Sequence, residues 1–213
     1  MKVYKLACLS ILIPILLSCG RNEISSYEDY VKWLNDEENG LVMNKKVDGI
    51  TIKLKYMPSD YLAYQDLSGE KPVNKSVIDS IVSGYQKSLT FLMTLGVDGK
   101  MKKGDIMYQD ISNYEEYKQK LYALNFEVEQ LTTLTLGDKK YKPVLSSLEN
   151  VYGLTDSRNI TLVFVPDTEN EKSFYTSDKV LLSYDDEIFN TGINHFTFNR
   201  EDINNTPTFI FWN

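Results

Sequence analysis

Ile160-Thr161-Leu162-Val163-Phe164-Val165 decides the fold of this chain. The run is short, apolar, and built from the β-branched and aromatic residues that suit a pleated surface. It reads as the central strand of a sandwich, apolar on both faces. Downstream, residues 180–184, 193–198 and 207–212 repeat short strand-like runs between Asx- and Gly-rich turns. Short strands at this spacing predict an antiparallel sandwich. Upstream, Phe126 and Val128 begin a strand that Leu134 and Leu136 end in the opposite phase, which predicts a bulge between them. Gly137-Asp138 then turns the chain into a strand over residues 139–145.

Before residue 124 the apolar period is mostly helical. Ser112-Asn113-Tyr114-Glu115 reads as a capping box opening a helix carried by Tyr114, Tyr117 and Leu121. Residues 75–95 form the strongest helix pattern: Ile78, Ile81, Val82, Tyr85, Leu89, Leu92 and Leu95 share a face, and Gly96 closes it. Its polar residues Asp79, Gln86 and Lys87 exclude a membrane span. Nearer the N-terminus, Ser25-Ser26-Tyr27-Glu28 is a second capping box. Tyr27, Tyr30, Val31 and Leu34 follow at helical spacing to a stop at Asn39-Gly40. Between these helices, Ile50, Ile52, Leu54 and Tyr56 alternate with Thr51, Lys53 and Lys55, so one face of a strand is apolar and the other wet. Asp48-Gly49 is the turn of a hairpin with residues 41–43, and Pro58-Ser59-Asp60 opens a short helix to about Leu67.

The fold class is therefore α+β: N-terminal helices and a hairpin, then a mainly antiparallel, β-sandwich-like C-terminal region. The boundary is soft. Residues 27–111 and 112–213 are two regions or one integrated domain.

The extreme N-terminus has a different grammar. Met1 to Lys5 carries Lys2 and Lys5, residues 6–17 are apolar but for Ser10 and Pro14, and Leu16-Leu17-Ser18-Cys19-Gly20 ends the run. A basic stretch, a short apolar stretch and a small residue before a cleavage point make a secretory leader. A span would need about 20 apolar residues, and Arg21, Asn22 and Glu23 follow at once. Leu16 and Ser18 around Cys19 match the pattern of bacterial lipoprotein signal peptides. That resemblance implies a leader over residues 1–18, acylation of Cys19 and a short tether over residues 19–26. Gly20, in place of an Asp, favours the outer membrane, on its periplasmic or surface face.

Composition agrees with an envelope protein held by lipid. The chain has 23 basic and 30 acidic residues and a net charge of −7, which loss of Lys2 and Lys5 deepens by two units. That balance excludes a nucleic-acid partner and attraction to anionic bilayers. Of the 2 Cys, Cys8 leaves with the leader and Cys19 takes lipid, so no disulfide is expected and an ordinary core must hold the fold.

The order Tyr141-Lys142-Pro143-Val144, Glu149-Asn150-Val151-Tyr152-Gly153-Leu154, then Thr161-Leu162-Val163-Phe164-Val165-Pro166 resembles the middle of Ig-like sandwich domains in uncharacterised bacterial secreted proteins. The mature chain is similar in texture to Bacteroidetes-type envelope lipoproteins. The resemblance implies a lipid-anchored envelope protein and carries over no functional residue except Cys19.

Catalytic grammar is sparse. His195 is the sole His, which removes most triads and multi-His zinc sites; a structural role is the safer reading. Asp185-Asp186-Glu187 is the densest acidic run but lacks the spacing of a calcium loop, and Asp156 and Asp167 would join it only if folding brought the loops together. Lys100, Lys102 and Lys103 are too few to hold a polyanion. No metal, cofactor or catalytic residue is expected. The expected role is a non-enzymatic binding or assembly component with an envelope protein partner. The alternatives are an envelope enzyme acting on glycan or peptide, or a carbohydrate-binding module using exposed Tyr or Trp; Trp33 and Trp212 read as core.

Overall fold

The structure is a computed structural model that describes residues 23–68, 74–150, 155–168 and 171–211. In chain order it holds β1 (Glu23–Ile24), α1 (Tyr27–Asn35), β2 (Val42–Val47), β3 (Ile50–Met57), α2 (Ser59–Leu67), α3 (Lys75–Tyr85), β4 (Leu89–Val97) and α4 (Tyr114–Phe126). There follow α5 (Val128–Leu131), β5 (Thr132–Leu136), β6 (Lys139–Tyr141), β7 (Leu145–Leu148), β8 (Arg158–Phe164), α6 (Lys172–Thr176), β9 (Lys179–Asp186), β10 (Gly192–Asn199), α7 (Arg200–Asn204) and β11 (Thr208–Phe209).

Two antiparallel sheets face each other. One runs β2-β3-β4-β8-β7 and the other β10-β9-β5-β6. Their inner faces follow from strict alternation. Ile50, Ile52 and Leu54 of β3 sit beside Met93, Leu95 and their neighbours on β4, and these beside Ile160, Leu162 and Phe164 of β8. Leu134, Leu136, Val180, Leu182, Phe196 and Phe198 answer from the second sheet. Phe91 meets Phe198 across the gap, ring centroids 5.3 Å apart. Each such fully buried side chain contributes about 1.5–3 kcal/mol, so this layer is the main source of stability. The result is an α+β sandwich, with helices packed about its ends and edges.

The predicted hairpin is present. Asp48 and Gly49 both have positive φ, 49° and 79°, the backbone a two-residue turn between twisted strands demands. The predicted helix from Ser59 to Leu67 matches α2. Both helix caps fall one residue later than expected, and neither closes as a full capping box. Ser26, not Ser25, accepts from the Asp29 N–H. Asn113, not Ser112, accepts from the Glu116 N–H, while Glu116 reaches back to the Ser112 N–H. In each case the residue nearest the helix already has the extended backbone a cap needs. α1 stops at Asn35; a 3-10 turn, Glu37–Asn39, carries the chain on to Gly40.

Several sequence expectations are corrected. The helix over residues 75–95 is α3 plus a turn plus β4, the middle strand of the larger sheet. Leu89, Leu92 and Leu95 recur every third residue and so fit a helix, but Leu89, Phe91, Met93 and Leu95 also alternate, and burial selects that set. The bulged strand over residues 126–136 is the end of α4, then α5, then β5; the phase slip marks a change of element. The strand over residues 139–145 is split by Pro143 into β6 and β7, which join different sheets. The strand over residues 207–212 shrinks to β11, outside both main sheets and parallel to β1. Glu23 and Ile24, expected in the tether, are thereby held against the body. Tyr114 and Leu121 of α4 are exposed; this helix is anchored by buried Leu124, with Tyr117 packed partly buried against the core as expected.

β8 is flanked by β4 and β7, but its alternate residues Thr161 and Val163 are half-buried, so one face is the core and the other is partly open. The wet face of β3 also has a covered end. Lys55 is buried under α1 and α2, where its Nζ donates to Asn35 Oδ1 (2.9 Å) and lies over the Tyr61 ring.

Candidate functional site

A cavity of about 880 Å³ opens beside the sandwich, within the size range of small-molecule sites. Its walls come from chain segments far apart in sequence. Tyr56 ends β3, and Pro58, Ser59 and Asp60 begin α2. Tyr30 comes from α1; Ile203 and residues 206–211 come from the C-terminal segment, and Glu23 comes from β1. α3 closes the groove from outside. Ile78 and Val82 lie four residues apart and share a face, flanked by Lys75, Asp79 and Gln86. No residue of α3 is buried. This helix spends its apolar stripe on a groove rather than on the core. Tyr85 donates a hydrogen bond to Asp66 and so ties α3 back to α2.

The floor is polar and incompletely paired. The Tyr30 side chain is fully buried, yet among the described residues its hydroxyl has no hydrogen-bond partner; the Thr206 hydroxyl, also in the lining, is likewise buried and without one. Buried polar groups of this kind are rare, because each unsatisfied group costs about 1–3 kcal/mol. Asp60 Oδ2 accepts the Phe209 N–H at 3.0 Å, which fixes the C-terminal segment as the opposite wall. Burial, then the Asp60 charge and Tyr56, push the Tyr30 phenol far above its usual range. Tyr56 is raised to about 12, by burial first; nearby Arg200 opposes the shift and Asp60 adds to it. Tyr30, Tyr56 and Asp60 are thus electrostatic neighbours. Aromatic rings line the rest: Tyr30 stacks on Phe209 with centroids 5.1 Å apart, and Phe209 meets Phe211 edge-on at 5.2 Å.

The residues singled out in the sequence do not converge on this groove. Cys19 and Trp212 lie outside the described residues. Trp33 packs partly buried against the core. His195 is exposed on β10, its Nδ1 2.8 Å from Ser183 Oγ on the neighbouring strand; the pair sits on the open face of the smaller sheet, and neither residue lines the groove. Asp186 is buried and organises its own loop. It accepts from the Tyr184 hydroxyl, the N–H groups of Ile188, Phe189 and Thr191, and the Thr191 hydroxyl. Its oxygens are therefore engaged, and Glu187 points to solvent. Asp156 and Asp167 flank opposite ends of β8 and do not meet. Among the described residues no group of three or more His, Cys, Asp or Glu is placed to hold a metal ion. Lys102 pairs with Asp110, and the Lys100 N–H donates to Asp98. None of the groove's working residues was found by motif. The one available signal was Ser59-Asp60 at a helix start, a pattern too common to single out.

Fold and groove define a two-sheet α+β sandwich with a lateral cleft at its N-terminal edge. No family model matches the chain, and no curated protein matches it. Among solved structures, a novel protein of unknown function from Burkholderia pseudomallei K96243 is similar over 83% of this chain and 86% of that chain, at 14% identity and a TM-score of 0.40. A likeness at that level carries no functional argument.

Proposed function

We propose that the chain is a lipid-anchored, non-enzymatic binding protein of a bacterial cell envelope, probed by its ligand through the groove between α3 and the C-terminal segment. The observation that carries the binding reading is the buried Tyr30 hydroxyl, left without a partner at the floor of an 880 Å³ cleft. The leader ending in Leu16-Leu17-Ser18-Cys19 supports the anchor. Among the described residues no helix is long and apolar enough to cross a membrane. Glu23 in the groove lining is four residues from Cys19, about 14 Å of extended chain. The binding site of the anchored protein therefore lies close to the bilayer, on the outer membrane in this reading.

Two experiments test the two parts separately. Labelling with a palmitate analogue should mark the wild-type protein and not Cys19→Ala, which should leave the membrane fraction or stay unprocessed; equal labelling of both refutes the anchor. For the groove, Val82→Arg fills the cleft from a helix that buries nothing. An envelope protein that co-purifies with the wild type in mild detergent should be lost from this variant. The same partner on both proteins would place binding elsewhere.

A further inference from the structure

The two main sheets end in β2, β7, β10 and β6, and three of these edges are guarded. An open edge offers unpaired N–H and C=O groups to any other strand, so folded proteins blunt it with charge, Pro, short length or a covering helix. β2 carries Lys45 and Lys46. β6 is 3 residues long and includes Lys139 and Lys140. α4 and α5 pack along β7, and Glu129 of α5 accepts the Ser146 N–H at 3.3 Å. β10 has none of these devices. Its 8 residues, Gly192–Asn199, include no Lys, Arg, Asp, Glu or Pro.

One bond shows which of its groups face outward. The Arg200 N–H donates to the Asp178 carbonyl at 2.8 Å, and this pair continues the β10–β9 register. Directly bonded pairs alternate along an antiparallel ladder. Phe198, Phe196 and Asn194 therefore bond to β9, and the N–H and C=O groups of Thr197, His195 and Ile193 point off the sheet. Among the described residues no hydrogen bond takes them. The three side chains are exposed, Ile193 by 62%. Lys45 of β2 lies over the Phe196 ring, 5.5 Å from its centroid, on the core side of the strand. What stays open at this margin is backbone.

The strand that matches this edge is the edge itself. Asn199 is the cap residue of α7, and its side chain binds Lys179 and Asp202. The free stretch is thus Ile193 to Thr197, centred on His195. A two-fold axis through His195, perpendicular to the sheet, brings a second copy alongside, antiparallel. His195 then exchanges both backbone bonds with His195 of the second copy, and Ile193 with Thr197, so every outward N–H and C=O is used. Side chains keep their faces, and Ile193 meets Thr197 as a β-branched pair with no like charges opposed. In a chain of net charge −7, an uncharged strand is where two copies approach with least repulsion. An unrelated strand would have to supply this match, whereas a second copy always carries it. We propose that β10 is a self-association edge: two copies pair β10 to β10, antiparallel about His195, and join their smaller sheets into one. The proposal is independent of the groove.

Sedimentation of the mature protein in detergent, from about 10 μM to about 1 mM, should show one chain giving way to two. Hydrogen exchange on the same samples assigns the surface. The amides of Ile193, His195 and Thr197 should exchange fast in the single chain and about ten-fold slower in the dimer, while those of Asn194, Phe196 and Phe198 stay slow throughout. Ile193→Lys with Thr197→Lys sets lysines opposite each other at two exposed positions. It should abolish the dimer and leave the fold unchanged. Ile193→Lys with Thr197→Glu sets lysine opposite glutamate and should restore the dimer; no rescue overturns the axis at His195. A single chain at every concentration overturns the proposal, as does a dimer whose three edge amides stay fast. Slow exchange of those amides in a single chain gives the edge to a segment of the same chain, and slowing only on addition of membrane extract gives it to another protein; either result overturns the pairing of two copies.

Discussion

Lys55 shows how one residue sets a pH dependence. It is 6% exposed, bonded to a neutral amide oxygen and stacked on Tyr61. Burial lowers its ammonium to about 8, with Lys53 adding to the effect. A cation with a folded-state pKa below its unfolded value costs stability wherever both states are protonated, which is below pH 8. Between pH 8 and about 10.5 the unfolded chain holds the proton and the folded chain does not, so stability rises with pH. Tyr56 and Tyr61, both raised to about 12 by burial first, have the opposite sign: the unfolded chain ionises first, and stability falls above about pH 10. Unfolding by urea should therefore show a rise from pH 8 to 10 and a fall beyond. Lys55→Met should remove the rise and stabilise the protein at pH 7 by on the order of 1 kcal/mol, the linkage discounted for solvent screening. A variant that keeps the rise would show that Lys55 is not its source. A second residue-scale test concerns Arg158 and Asp105, an ion pair at 2.6 Å with side chains 8% and 14% exposed. Asp105→Asn strands a buried guanidinium and should cost about 3 kcal/mol in chemical unfolding.

At the scale of elements, the sequence was legible where local rules and burial agree. The β2–β3 hairpin follows from Asp48-Gly49 and the alternation after it, and α2 from Pro58-Ser59-Asp60. It was illegible where one apolar spacing satisfied two periods. Leu89, Leu92 and Leu95 continue the stripe of Ile78 and Val82, so α3 and β4 merged into one helix. What separates them is the partner: Thr90, Met93 and Thr94 pair with Val163, Ile160 and Asn159, and nothing local announces β8. The groove was illegible for the same reason, since Tyr30, Asp60, Val82 and Phe209 meet only after α1, α2, α3 and β11 are assembled. The distinction has a thermodynamic signature. Phe91→Ala, in the core strand, should cost about 4 kcal/mol. Val82→Ala, on a helix with no buried residue, should stay within about 0.5 kcal/mol. Comparable losses at both positions would contradict this division between helix and strand.

At the scale of the whole molecule, the sheets ignore the soft sequence boundary near residue 111. Residues before it supply β2, β3 and β4; residues after it supply β8 and β7 to the same sheet, and the whole of the opposing one. β4 pairs with β8 from Leu89↔Phe164 to Leu95↔Arg158. Without that neighbour it becomes an apolar edge strand, a surface that folded proteins avoid exposing. The polar ties cross the boundary too: Arg158 holds Asp105, and Asp60 holds the Phe209 N–H. One apolar cluster contains Leu41, Phe91, Leu134 and Phe198 together, so neither segment owns a complete core. Fragments 23–111 and 112–213 should each lack a cooperative unfolding transition when expressed alone, and should show amide protection only when the two are mixed. Cooperative unfolding of either fragment by itself would mean that its single sheet can be stable without the facing layer, and that the Phe91–Phe198 interface joins two folding units rather than forming one.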